Sequence, residues 1–215
     1  MCIFKFSNAQ TEKGSQTVGF NLSYSGSRYN DNYFDNSNSA TSLNKVKSTQ
    51  FTLGPVYSYF IADRVDVGAS FSLTSYSTST RPTEPGIPGN SFHNRNSEAT
   101  VFVRKYFLYE GKIGIRTGPY AGYNWANQGY GTGNGLVDPG VTNYRSHGYE
   151  AGAKLEAVYF PSKRLGVSAM IANLEYQHFT GKNLTSSGIE RTDGNDINVY
   201  FVNNLSLSLF YVFGK

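Results

Sequence analysis

"SLSLFYVFGK" (206–215) alternates almost without fault, with Leu207, Leu209, Tyr211 and Phe213 on one side of a strand. Ser206, Ser208, Phe210 and Val212 fall on the other side. Chain ends are where order normally fades, so a terminal strand this apolar has to be tied into something. The chain as a whole is nonetheless polar, with a mean hydropathy of −0.41. A sheet that closes on this strand, with its polar residues kept elsewhere, reconciles the two.

Composition points the same way. The 215 residues suit one domain, charged residues are only 16%, and Tyr (17), Phe (15) and Gly (23) are abundant. Aromatic residues fit pleated surfaces and glycine fits turns. The net charge of +4 has no contiguous Lys/Arg block behind it, so nucleic acid is not an expected partner. A single cysteine, Cys2, excludes an internal disulfide framework and a Cys-based zinc site. No apolar run is long enough for a transmembrane helix. In "MCIFKFSNAQTEKG" (1–14), "SNAQ" resembles the end of a bacterial secretory signal, cut between Ala9 and Gln10. Residues 1–10 are therefore expected to be a signal-peptide remnant or disordered tail, and 11–215 one domain.

Period-two alternation recurs along the chain and helical periodicity is nearly absent. Strands are expected near 16–27, 47–60, 65–77, 97–108, 112–126, 147–160, 164–178 and 196–213. "ADRV" (62–65), "YEGK" (109–112) and "PSKR" (161–164) read as tight turns. Long polar segments at 28–46, 78–96, 127–146 and 179–195 read as loops. Short and long connections thus alternate strictly, as in an up-and-down meander. The pair Tyr-Phe recurs at Tyr59–Phe60, Tyr106–Phe107 and Tyr159–Phe160, each just before a tight turn. With Tyr211 and Phe213 on the last strand, this predicts one aromatic rim, formed by Tyr59, Phe107, Tyr159, Tyr211 and Phe213.

Which face points outward follows from the polar set. Around 113–125, Ile113, Ile115, Pro119, Ala121, Tyr123 and Trp125 oppose Gly114, Arg116, Gly118, Tyr120, Gly122 and Asn124. A water-soluble barrel would put Lys and Glu on its polar face, whereas Gly, Ser, Thr and Asn suit a crowded interior. The few strand charges look matched by height. Arg104 and Arg116 lie equally far from the turn at 109–112, and Glu156 a similar distance from the turn at 161–164. That predicts an interior network of two guanidiniums beside one carboxylate, with Lys154 and Glu150 further up, because unpaired buried charge is prohibitively costly. In strand 164–178 the apolar phase shifts between Ile171 and Leu174, which predicts a bulge.

An apolar outer band 9–11 residues tall, aromatic edges and a polar interior describe an all-β, closed, antiparallel up-and-down transmembrane β-barrel of about eight strands. Only closure lets strands cross lipid without unpaired backbone groups. Eight strands leave an interior just filled by side chains.

"FTLGPVYSYFIADRVDVGASFSL" (51–73), "ATVFVRKYF" (99–107), "AVYFPSKRLGVSAMI" (157–171) and "LSLSLFYVF" (205–213) resemble the small outer-membrane β-barrel proteins of Gram-negative bacteria, the OmpA/OmpX-like group. The resemblance implies an outer-membrane location, periplasmic termini, and contact with outer-membrane lipid and lipopolysaccharide. It also implies a last strand of the kind the barrel-assembly machinery recognises. That group is defined by fold, so activity stays open.

Little in the chain suggests chemistry. "GYGTGNG" (129–135) matches neither dinucleotide nor P-loop spacing and reads as an outer loop. His178 and Thr180, two apart near one rim, loosely resemble the His-x-Ser pair of outer-membrane lipid A deacylases, but no orienting carboxylate can be assigned from sequence. The expectation is a monomeric barrel with no catalysis and no cofactor, and a structural, adhesion or interaction role through its outer loops toward an unidentified extracellular ligand. A narrow passive channel and an accessory factor in secretion or envelope assembly are the alternatives, ahead of an esterase using His178 or a soluble lipocalin-like carrier.

Overall fold

The computed structural model describes residues 11–34, 41–83, 89–132, 144–185, 188–201 and 206–214. The expectation for residues 1–10 lies outside them. Nine strands follow in chain order: β1 (Gln16–Phe34), β2 (Thr41–Ala62), β3 (Val65–Pro82), β4 (Asn90–Tyr109), β5 (Ile113–Thr132), β6 (Tyr144–Tyr159), β7 (Leu165–Thr185), β8 (Gly188–Phe201) and β9 (Ser206–Phe213). All pair antiparallel, each of β1 to β7 with its neighbour in sequence.

The ring closes through the stretch that ends the chain. β9 bonds to β1 from Gln16↔Phe213 to Ser23↔Ser206, and to β7 from Leu165↔Tyr211 to Ala169↔Leu207. The terminal strand is thus paired on both edges. β8 continues the same stave outward along β7, from Ala172↔Phe201 to Thr185↔Gly188. The barrel therefore has eight staves, the last in two pieces. Among the described residues, β8 bonds only to β7, and β1 beyond Ser23 only to β2. A seam runs between them in the outer half.

Two of the three tight turns use left-handed backbone. Arg64 has φ +63°, and Glu110 and Gly111 have φ +50° and +67°. The second turn is closed by the Lys112 N–H donating to the Tyr109 carbonyl at 3.0 Å. Its Glu110–Gly111 centre is the both-positive combination that matches strand twist in a hairpin. The expected bulge is present: Leu155 pairs Ala172 and Glu156 pairs Met170, which leaves Ile171 extra.

Where they are described, the segments read as long loops are largely strand, a correction to the sequence reading; 35–40, 84–88, 133–143 and 186–187 lie outside the described residues. β1, β2, β3 and β4 run through much of 28–46 and 78–96, β5 covers 129–132 of "GYGTGNG", and β7 and β8 meet across 186–187. Alternation of apolar residues marks a half-buried strand, but the ladder itself needs only backbone groups. Polar side chains on both faces erase the pattern without breaking the pairing. Ser48 Oγ and Thr78 Oγ1 lie 3.0 Å apart across β2 and β3 inside this polar zone.

The first seven strands run from 16 to 22 residues, while a tilted strand crosses a bilayer core in about 9–11. Twenty residues tilted by about 40° rise about 50 Å. Roughly half the wall stands beyond the apolar band.

Candidate functional site: the filled interior and the two faces of the wall

Outward positions in the inner half are apolar and bare. Phe20 is 57% exposed, Val101 60% and Leu209 54%, with Leu22, Leu53, Leu73 and Leu174 similarly open. Tyr59, Phe107, Tyr159, Tyr211 and Phe213 all face outward beside the tight turns. Each Tyr-Phe pair divides between the faces, since Phe60, Tyr106 and Phe160 turn inward and are fully buried.

Those inward rings form a floor. Phe60 packs on Tyr106 at 5.4 Å between ring centres, and Phe160 meets Phe210 edge-on at 5.6 Å, with Val158 and Val212 in the same cluster. The segment before β1 seals the end by extending the ladder, with Gly14 N–H donating to the Phe60 carbonyl (2.9 Å) and Arg64 N–H to that of Thr11 (2.7 Å).

Above the floor lie the ion pairs. Arg116 donates bidentately to Glu156, Nε to Oε2 at 2.8 Å and Nη2 to Oε1 at 2.9 Å, and Nη2 also reaches Ser168 Oγ at 2.7 Å. Arg104 does not join this carboxylate. It pairs with Asp66, Nη2 to Oδ2 at 2.6 Å and Nε to Oδ1 at 3.1 Å. The reading of two guanidiniums beside one carboxylate is corrected to two pairs, bridged by Tyr106. Arg116 Nη1 donates to the Tyr106 hydroxyl (3.1 Å), which donates to Asp66 Oδ2 (3.1 Å), and Ser58 Oγ adds a bond to the same oxygen at 2.7 Å. Alternation carried the missing signal, because outward Val65 and Val67 force Asp66 inward. Each buried charge is then matched by an opposite one and by hydrogen bonds, the condition under which burial is tolerable.

Lys154 and Glu150 sit further from the floor, in a more acidic layer. The Lys154 ammonium lies 4.0 Å from the centre of the Tyr120 ring. The Tyr120 hydroxyl donates to Glu175 Oε2 (2.9 Å), Thr100 Oγ1 to Glu98 Oε1 (2.7 Å) and Asn124 Nδ2 to Glu150 Oε2 (3.3 Å). Glycines make room for these groups. A Cβ on Gly152 would stand 2.8 Å from the Tyr120 ring, and one on Gly122 2.9 Å from Glu150 Oε1. Between the two layers a cavity of about 60 Å³ remains, lined by Arg104, Arg116, Tyr120 and Lys154 among others. A cavity of this size admits water.

The structure supplies the carboxylate that sequence could not assign to His178 and Thr180. Across β7 and β8, Thr180 Oγ1 donates to Asp193 Oδ1 at 3.2 Å, and His178 Nε2 lies 3.5 Å from the same oxygen. His178 Nδ1 faces Asn195 Oδ1 at 2.9 Å, and its ring stacks on Tyr149 at 4.8 Å. The hydroxyl's hydrogen bond therefore goes to Asp193 and not to the imidazole. A base-activated nucleophile needs the opposite arrangement.

No family model matches the chain, and no curated protein matches it in sequence. Among solved structures, it is similar to the outer membrane protein OprG from Pseudomonas aeruginosa, at 11% identity over 96% of this chain and 99% of that one, with a TM-score of 0.49. A major outer membrane protein from Thermus thermophilus is similar at 13% identity over 93% and 99%, with a TM-score of 0.43. The N-terminal β-barrel domain of Pseudomonas aeruginosa OprF follows at 12% identity over 94% and 98%, with a TM-score of 0.37.

Proposed function

We propose that this chain is a bacterial outer-membrane β-barrel protein of the small OmpA/OmpX-like kind. Its tight-turn end and both termini face the periplasm, and its long polar wall stands outside the cell. The observation that carries the reading is the ring of exposed apolar side chains around a closed, polar, charge-paired interior. In water that exterior would be a contiguous apolar patch far larger than soluble monomers display, whereas hydrocarbon solvates it and the closed ladder leaves no unpaired edge at that depth.

The role is structural or in interaction, through the wall that projects beyond the band. A narrow passive channel is disfavoured by the aromatic floor and the ion pairs stacked across the bore. Membrane fractionation with heat-modifiable gel mobility tests the placement: the protein should pellet with membranes, require detergent, and migrate differently when unheated. Recovery in the soluble fraction without detergent would overturn it. In a planar bilayer the same protein should give no steady conductance, and a stable open level would favour the channel.

A further inference from the structure

Basic residues dispersed in the sequence are gathered by the ladder onto one face. Beyond the apolar band, outward positions on β1, β2 and β3 carry Arg28, Lys45, Lys47 and Arg81, all exposed. Arg28 is the direct cross-strand partner of Lys47, and Lys45 of Arg81. Like charges placed opposite one another destabilise a sheet, and among the described residues no ion pair relieves any of the four. Asp31, the nearest carboxylate on β1, falls on the inward phase. The four cations line a cleft of about 600 Å³ together with Tyr29, Asn30, Val46 and Ser79. A second row repeats the pattern on β6, β7 and β8, where Arg145 pairs Lys182 and Lys182 pairs Arg191.

Height identifies the occupant. Arg28 lies four residues beyond Tyr24, and Lys47 four beyond Phe51, where the unbroken outward rows of apolar residues on their strands end. Four tilted residues rise about 9 Å, which clears the hydrocarbon and reaches the headgroups. We propose that the Arg28–Lys45–Lys47–Arg81 cleft binds the phosphate groups of membrane-lipid headgroups in the outward leaflet. The proposal rests on the membrane-spanning reading. Guanidinium forks fit phosphate oxygens bidentately, and lysines add compact charge.

The full chain, floated with zwitterionic vesicles, tests the membrane reading first; a protein that stays at the bottom of the gradient sinks both. The floated barrel, moved to detergent, is then titrated with bis-phosphorylated lipid A, its dephosphorylated form and inorganic phosphate. The phosphorylated lipid should bind at least about tenfold tighter than either comparator, less tightly as salt rises. Neutralising the cleft (R28Q/K45Q/K47Q/R81Q) should remove that preference, and the pair R28Q/K47Q should weaken it, each variant being accepted only with wild-type heat-modifiable mobility. Lys112→Gln, at the opposite end, should change nothing. Equal binding of the two lipids, or a preference intact in the neutralised cleft, would overturn the assignment. Inorganic phosphate binding as tightly as the lipid would also overturn it, in favour of a free-anion site.

Discussion

In the inner half of the barrel every strand is bonded on both edges, and the bore is filled by rings and two bridged ion pairs. In the outer half the same strands continue with mostly polar side chains on both faces, and among the described residues the stave formed by β8 is bonded on one edge only. The contrast separates two things that a β-barrel needs. Backbone pairing makes the wall, and it tolerates almost any side chain. Closure and rigidity come from what the wall encloses, and here that packing is concentrated between the floor at Phe60 and the Glu156 layer.

The sharpest way to break the contrast is to attack the inner half at a deeply buried ion pair. Arg116 is 3% exposed, and Glu156 accepts two of its hydrogen bonds. Glu156→Ala strands that guanidinium and should cost about 3–5 kcal/mol of stability in urea unfolding of the refolded barrel. Replacing both partners by methionine should cost clearly less, because no charge is then left unpaired. Equal losses in the two variants would mean that the pair only fills space.

The outer half should reveal itself by exchange rather than by midpoint. Amides of β8 face an unbonded edge on one side, whereas those of β9 sit between β1 and β7. Native-state hydrogen exchange should run at least about tenfold faster in Gly188–Phe201 than in Ser206–Phe213. Matching protection in the two pieces would show that the seam is closed.

The inner half was also the legible half. Alternation around 113–125 gave its outward phase, the shared heights of Arg116 and Glu156 gave one ion pair, and the slip after Ile171 gave the bulge. Asp66 was legible in principle, because its two outward valine neighbours fix its inward phase. The outer half was not legible, because Asn, Ser and Thr on both faces look the same in a loop and in a fully hydrated ladder. The basic clefts were hidden for a different reason. Arg28, Lys47 and Arg81 are far apart in sequence, and only register makes them neighbours.

The smallest effect expected belongs to His93, on the outer part of β4 and beyond the apolar band. Its Nε2 accepts a hydrogen bond from Arg95 Nε at 3.1 Å. Partial burial, and after it the repulsion from the Arg95 guanidinium, holds the imidazole below its ordinary pKa. A histidine depressed in the folded state binds fewer protons than in the unfolded chain. Stability is therefore undiminished above the unfolded value near 6.5, and it declines slightly as pH falls from there toward the folded pKa. Ring-proton NMR should place the His93 midpoint below 6.5. Arg95→Gln should raise it only part of the way back, since burial is the larger cause. A midpoint at or above 6.5 in the wild type would mean that the outer part of β4 is solvated like a loop, and the continuous polar wall would fail there first.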